Sequence, residues 1–257
     1  MTRNRGRFLA LSGFLISTAL MASACSHNDA SIVVRDVLAP PQPQNGQCAY
    51  TSDPTQAFES SGVLDVALLA SYTPIVLVGN QLIARNDNVN LKAETARVTL
   101  QGAVVHVDDT AGNEINSFTS LSSGFIDPGT GGVPSYGPIA LTLIDPKTSS
   151  ALASSIAASG VKTKEVIAHF TVFGQTAGGD DIESDEFQFP ISVCNGCLVS
   201  FPADSVDPVE SAANGGAPNC DAAVASSSGG STITPCVIGQ DQVVDCRFCH
   251  GNPACEP

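Results

Sequence analysis

The sequence predicts a mainly β fold: an antiparallel β-sandwich of the immunoglobulin or fibronectin kind, with one short inserted helix and a disulfide-rich C-terminal segment. Three observations carry this expectation. Between Cys48 and Cys194 apolar residues recur with a period of two, the mark of strands with one buried face. The runs are joined by turns rich in Gly and Asp. Six of the 9 cysteines then fall between positions 197 and 255.

In chain order, Ile75-Val76-Leu77-Val78 is a short continuous apolar run and is expected as a central strand. Arg97-Val98-Thr99-Leu100-Gln101 alternates, and beyond Gly102 the apolar phase moves to Val105 and Val107, which predicts a bulge at the glycine. Asp108-Asp109-Thr110-Ala111-Gly112-Asn113 has the chemistry of a hairpin turn. Ile139, Leu141 and Leu143 share one face of the next run. One helix follows: Asp145 caps it, Pro146 suits its first position, Leu152 and Ile156 lie one turn apart, and Gly160 ends it. Val166, Ala168, Phe170 and Val172 then face inward, with His169 and Thr171 outward. Thr176-Ala177-Gly178-Gly179-Asp180-Asp181 is a second hairpin turn, and Phe187, Phe189, Ile191 and Val193 line the last inward face. The antibody-type signature of a Trp beside an inter-sheet cysteine pair is missing, because the chain has no Trp. A domain of this length still buries ~68–70% of its unfolded surface and needs no disulfide to have a core.

Charged residues make up 14% of the 257-residue chain, against ~25% in an average soluble domain, and the formal net charge is −14. That balance excludes a basic nucleic-acid binder and a charge-rich disordered chain.

At the N-terminus, Arg3, Arg5 and Arg7 precede an uncharged apolar run from Phe8 to Ala24. A positive start, a short apolar core and a small-residue end describe a secretory signal covering residues 1–24. Ala22-Ser23-Ala24-Cys25 resembles the lipobox of bacterial lipoproteins, although that family usually has Leu where Ala22 stands. The resemblance implies that Cys25 is lipidated and becomes the mature N-terminus, and that Ser26 directs delivery to the outer membrane. Several acyl chains, at ~0.8 kcal/mol per buried methylene, make such anchoring stable. The membrane is then a partner through lipid alone, and the sequence leaves a protein or glycan ligand open without identifying one. Removing residues 1–24 takes away three arginines and no acid, which leaves 8 Lys and Arg against 25 Asp and Glu, a net charge of −17. Residues 25–47 are expected as the lipidated cysteine and a tether rich in proline, with Pro40, Pro41 and Pro43 favouring an extended spacer. Residues 48–197 form the sandwich domain and residues 198–257 the Cys-rich segment, whose stretch 203–234 is poor in large apolar side chains and needs staples to hold a shape.

Setting Cys25 aside, Cys48, Cys194, Cys197, Cys220, Cys236, Cys246, Cys249 and Cys255 remain. An exported chain meets an oxidising compartment, so four disulfides are expected, with 105 pairings open. Two other uses of the thiols compete. Cys194-x-x-Cys197 and Cys246-x-x-Cys249 each have the shape of half a zinc site, but the gap between them far exceeds the common zinc spacing. Cys246-Arg247-Phe248-Cys249-His250 is a complete c-type haem attachment string, which gives an alternative function, electron transfer, with His250 as axial ligand. Only seven residues follow His250, and the mature chain holds no Met for a second axial position.

No nucleophile elbow, His-Glu-x-x-His helix, phosphate loop or dinucleotide fingerprint occurs. His27 falls in the tether, and His106 and His169 fall on outward strand phases, where solvation is the expected state. The acids Asp180, Asp181, Glu183, Asp185 and Glu186 leave a calcium site open, without the EF-hand spacing. The chain therefore reads as a non-catalytic lipoprotein with a structural or recognition domain, without a metal or cofactor.

Overall fold

The period-two runs become strands in the computed structural model, which describes residues 31–43, 47–84, 94–201, 220 and 235–256. In chain order these are β1 (Ile32–Leu38), β2 (Phe58–Glu59), β3 (Gly62–Asp65), β4 (Ile75–Asn80), β5 (Val98–Asp109), β6 (Glu114–Ile126), β7 (Ser135–Ala140), helix α1 (Pro146–Ser159), β8 (Thr163–Thr176), β9 (Asp181–Glu183), β10 (Phe187–Cys194), β11 (Val199–Ser200) and β12 (Val244–Asp245). The signal sequence, Cys25, Ser26 and His27 lie outside the described residues, as does most of the stretch 203–234.

One sheet has the order β2-β1-β4-β7 and is antiparallel throughout. The larger has the order β3-β10-β8-β5-β6, with β9 added to β8. It is mixed, because β3 runs parallel to β10, and so corrects the purely antiparallel expectation. The parallel pair β11–β12 forms a third, small sheet. Val34, Val76, Val78 and Ile139 of the first sheet join Val105, Val166, Phe170, Phe189 and Ile191 of the second in one hydrophobic cluster. Leu152 and Ile156 of α1 belong to the same cluster. Each such side chain contributes roughly 1.5–3 kcal/mol by leaving water.

Local chemistry follows the sequence closely in the long strands. In β5, Val98 and Leu100 are buried, the register shifts at Gly102 against both neighbours, and Ala103, Val105 and Val107 are buried beyond it. Helix α1 begins where the Asp145 carboxylate accepts from Thr148 N at 2.8 Å, carries Pro146 in its first turn, and ends at Gly160 in the left-handed conformation. The turn between β5 and β6 is held by Asp109 Oδ1, which accepts from the backbone of Ala111 and Asn113 at 2.9 Å each.

Two of the expected segments take part in the β structure. Residues 32–38, read as part of the tether, are the buried strand β1, paired to β4 from Ile32 to Val37. The cause is apolar content: Ile32, Val34, Val37 and Leu38 are all buried. The Cys-rich segment pairs with the body in its described part. Gln240 bridges to Leu64, Asp241 N donates to Val63 O at 3.0 Å, and β12 pairs with β11.

Candidate functional site: cysteine staples and a histidine–carboxylate face

The eight cysteines after Cys25 form four disulfides: Cys48–Cys236, Cys194–Cys197, Cys220–Cys246 and Cys249–Cys255. They close loops of 188, 3, 26 and 6 residues. Cys246 and Cys249 are thus committed to different partners. Thioether attachment of haem, the alternative use of Cys246, Cys249 and His250, needs both thiols, and here each is bonded to another cysteine. Cys246 instead opens a short 3₁₀ turn, Cys246–Phe248, at which Asp245 accepts from Arg247 N and pairs with the Arg247 guanidinium. That guanidinium holds the Asp245 carboxyl below the usual carboxylate range.

Among the described residues, one group of three side chains brings potential metal ligands together: Asp65, Cys194 and Cys197. Both sulfurs lie in a disulfide, so neither is the thiolate that zinc takes. The buried Asp65 carboxylate has other work. It accepts from Gly196 N at 2.7 Å, Leu198 N at 2.9 Å and Ala67 N at 3.1 Å, and so clamps the Cys194–Cys197 turn against the body. Its burial is compensated by these three donors.

The outer face of the larger sheet carries the polar chemistry. His106 of β5 lies directly opposite His169 of β8, and His169 in turn lies opposite Gln188 of β10. The phase assignment that put both histidines outward holds, but register brings them side by side, which no local pattern announces. Each ring meets a glutamate: His106 Nδ1 lies 3.0 Å from Glu114 Oε2, and His169 Nδ1 lies 3.0 Å from Glu186 Oε1. A carboxylate only accepts, so both Nδ1 atoms carry the proton, and in a neutral ring Nε2 keeps the lone pair. His169 Nε2 faces Asp108 Oδ2 at 3.6 Å. The His169 and Asp108 side chains are 20% and 23% exposed, while His106 is 47% exposed. The hydrogen bond from His169 lowers the Glu186 carboxyl below its ordinary range.

The five acids between 180 and 186 do not act as a unit. Asp181 takes a hydrogen bond from Gln175 Nε2 at 2.9 Å, Glu183 stands opposite Phe173 in the β8–β9 ladder, and Glu186 belongs to His169. Asp180 borders a shallow cleft of about 250 Å³ that is also lined by Ser31, Leu82, Ile83 and Thr176. Among the described residues these carboxylates form no group of converging ligands of the kind calcium takes. Comparison with models of known protein families and with curated proteins finds no match to this chain.

Proposed function

We propose that the protein is exported and anchored by lipid at Cys25 in the outer membrane, and that its β domain serves recognition or structure rather than catalysis. The observation that carries this reading is the complete pairing of the eight downstream cysteines. Four disulfides belong to an oxidising compartment, which is where a chain with an Arg-rich start, an apolar run and Ala22-Ser23-Ala24-Cys25 is sent. The joint cluster of inward side chains from the two sheets supports reading them as the layers of a sandwich. Its outer face, where polar side chains converge, is the surface offered to a protein or glycan partner.

Labelling with radioactive palmitate and membrane fractionation test the anchor. The wild-type chain is expected to take up label and to sediment with membranes. Cys25→Ser is expected to take up none and to stay uncleaved or leave the membrane fraction. Unlabelled wild-type protein, or membrane retention of Cys25→Ser after normal cleavage behind Ala24, overturns the reading.

A further inference from the structure

We propose that His106, His169 and Asp108 form a binding site for a divalent transition-metal ion of the zinc and copper class on the outer face of the larger sheet. Three features point there together. The first is the orientation of the rings. With each Nδ1–H committed to a glutamate, at 3.0 Å in both cases, the Nε2 lone pairs are left for a metal. Carboxylates that fix the tautomer of a ligating histidine from behind are the usual support of such sites, and they raise the basicity of the ring.

The second feature is spacing. His106 and His169 are cross-strand neighbours on one face, and Asp108 follows His106 by two residues on β5. Directly opposed side chains start with Cβ atoms about 4.5–5.5 Å apart, a span that two imidazoles bridge through one ion. His169 Nε2 and Asp108 Oδ2 are 3.6 Å apart, too far for a hydrogen bond. Two ligands held at ~2.0–2.1 Å around a tetrahedral ion lie roughly 3.3 Å from each other, so this pair is close to its bound separation. The His106 nitrogen does not converge with these two atoms as the structure stands, so binding takes a rotation of this ring, 47% exposed. The Glu114 side chain, 54% exposed, must move with it to keep its contact with Nδ1.

The third feature is charge and support. Asp108, Glu114 and Glu186 surround two imidazoles, so the surface attracts a cation. Nitrogen and carboxylate ligands suit zinc and copper better than calcium or magnesium. β5 and β8 are interior strands of the sheet, each paired on both sides, which fixes the ligand backbones before the ion arrives. The fourth position faces solvent and is left for water or for a donor group of a partner.

The test uses the full chain, purified without a polyhistidine tag and stripped with chelator. Titration with zinc chloride at neutral pH is expected to show one tight equivalent. His106→Gln and His169→Gln are each expected to weaken it by about ten-fold or more. Both substitutions lie on the outer face, away from the hydrophobic cluster, and circular dichroism checks that the fold is kept. His27→Gln and His250→Gln serve as controls and are expected to bind as the wild type does. With copper(II), electron paramagnetic resonance is expected to show coupling to two imidazole nitrogens, falling to one in His106→Gln. Absence of a tight equivalent, full binding by His169→Gln, or loss of binding in either control overturns the proposal.

Discussion

The carboxylate of Asp241 accepts from Val63 N at 2.8 Å and from the Tyr72 hydroxyl at 3.0 Å, and so ties the C-terminal segment to the start of β3. Burial works against its charge and pushes its pKa up to about 6. The same carboxylate, after burial itself, drives the Tyr72 phenol far upward, so the tyrosine acts as a fixed donor. In the unfolded chain an Asp titrates near 3.9, so between roughly pH 4 and pH 6 the folded state binds the extra proton. Stability from this group is therefore complete below pH 4 and is lost as pH rises through 6. The loss is on the order of 3 kcal/mol at neutral pH. Asp241→Asn keeps an acceptor for Val63 and Tyr72, carries no charge, and suits the positive φ of 58° at this position. We predict that it equals or exceeds the wild type in urea stability at pH 7.5. The difference between the two proteins should vanish below pH 4. Parallel stability curves across pH 4–8 would show that the buried carboxylate is not the titrating group.

Bulges decide which strands can be read from sequence. In β5 the inward phase changes at Gly102, and the alternating residues on either side are numerous enough to expose the change. In β1 the same kind of shift falls between Val34 and Asp36 inside only seven residues, too few on each side to show an alternation. That is why β1 passes for tether while β5 is legible in detail. Helix α1 is legible for a different reason: its cap, first-turn proline and terminating glycine are local signals that need no partner strand. The parallel strand β3 announces itself nowhere, since Gly62–Asp65 is short and its pairing with β10 is long-range. The Gly102 bulge is itself testable. The residue has φ of 151°, and a Cβ there would stand 2.2 Å from Ser120 O. Backbone cannot yield as a side-chain tip does, so Gly102→Ala is predicted to cost about 2 kcal/mol or more in equilibrium unfolding. A cost below about 0.5 kcal/mol would place the bulge elsewhere.

Across the whole molecule, what the sequence leaves open is whatever depends on register between distant strands. Eight cysteines imply four bridges, but not that Cys48 reaches Cys236 or that Cys246 and Cys249 take separate partners. The two histidines read correctly as outward, yet their adjacency exists only because β5 and β8 pair with His106 opposite His169. The bridges differ in what they can contribute. In the loop-closure account a crosslink stabilises by restricting the unfolded chain, more so for longer loops. Cys48–Cys236, spanning 188 residues, then contributes roughly 5 kcal/mol, and Cys249–Cys255, spanning 6, contributes roughly 2 kcal/mol. The long bridge also fastens the region after β1 to the segment that carries Asp241, so its removal frees the contact of Asp241 with Val63 and Tyr72. We predict that joint replacement of Cys48 and Cys236 by Ser lowers urea stability more than joint replacement of Cys249 and Cys255 by Ala. Hydrogen exchange should speed up at Val63 and Asp241 in the first variant, while the amides of β5 and β8 stay protected. Equal losses in the two variants, or loss of protection throughout β5 and β8, would show that the long bridge acts on the sheet itself rather than on the docking of the terminal segment.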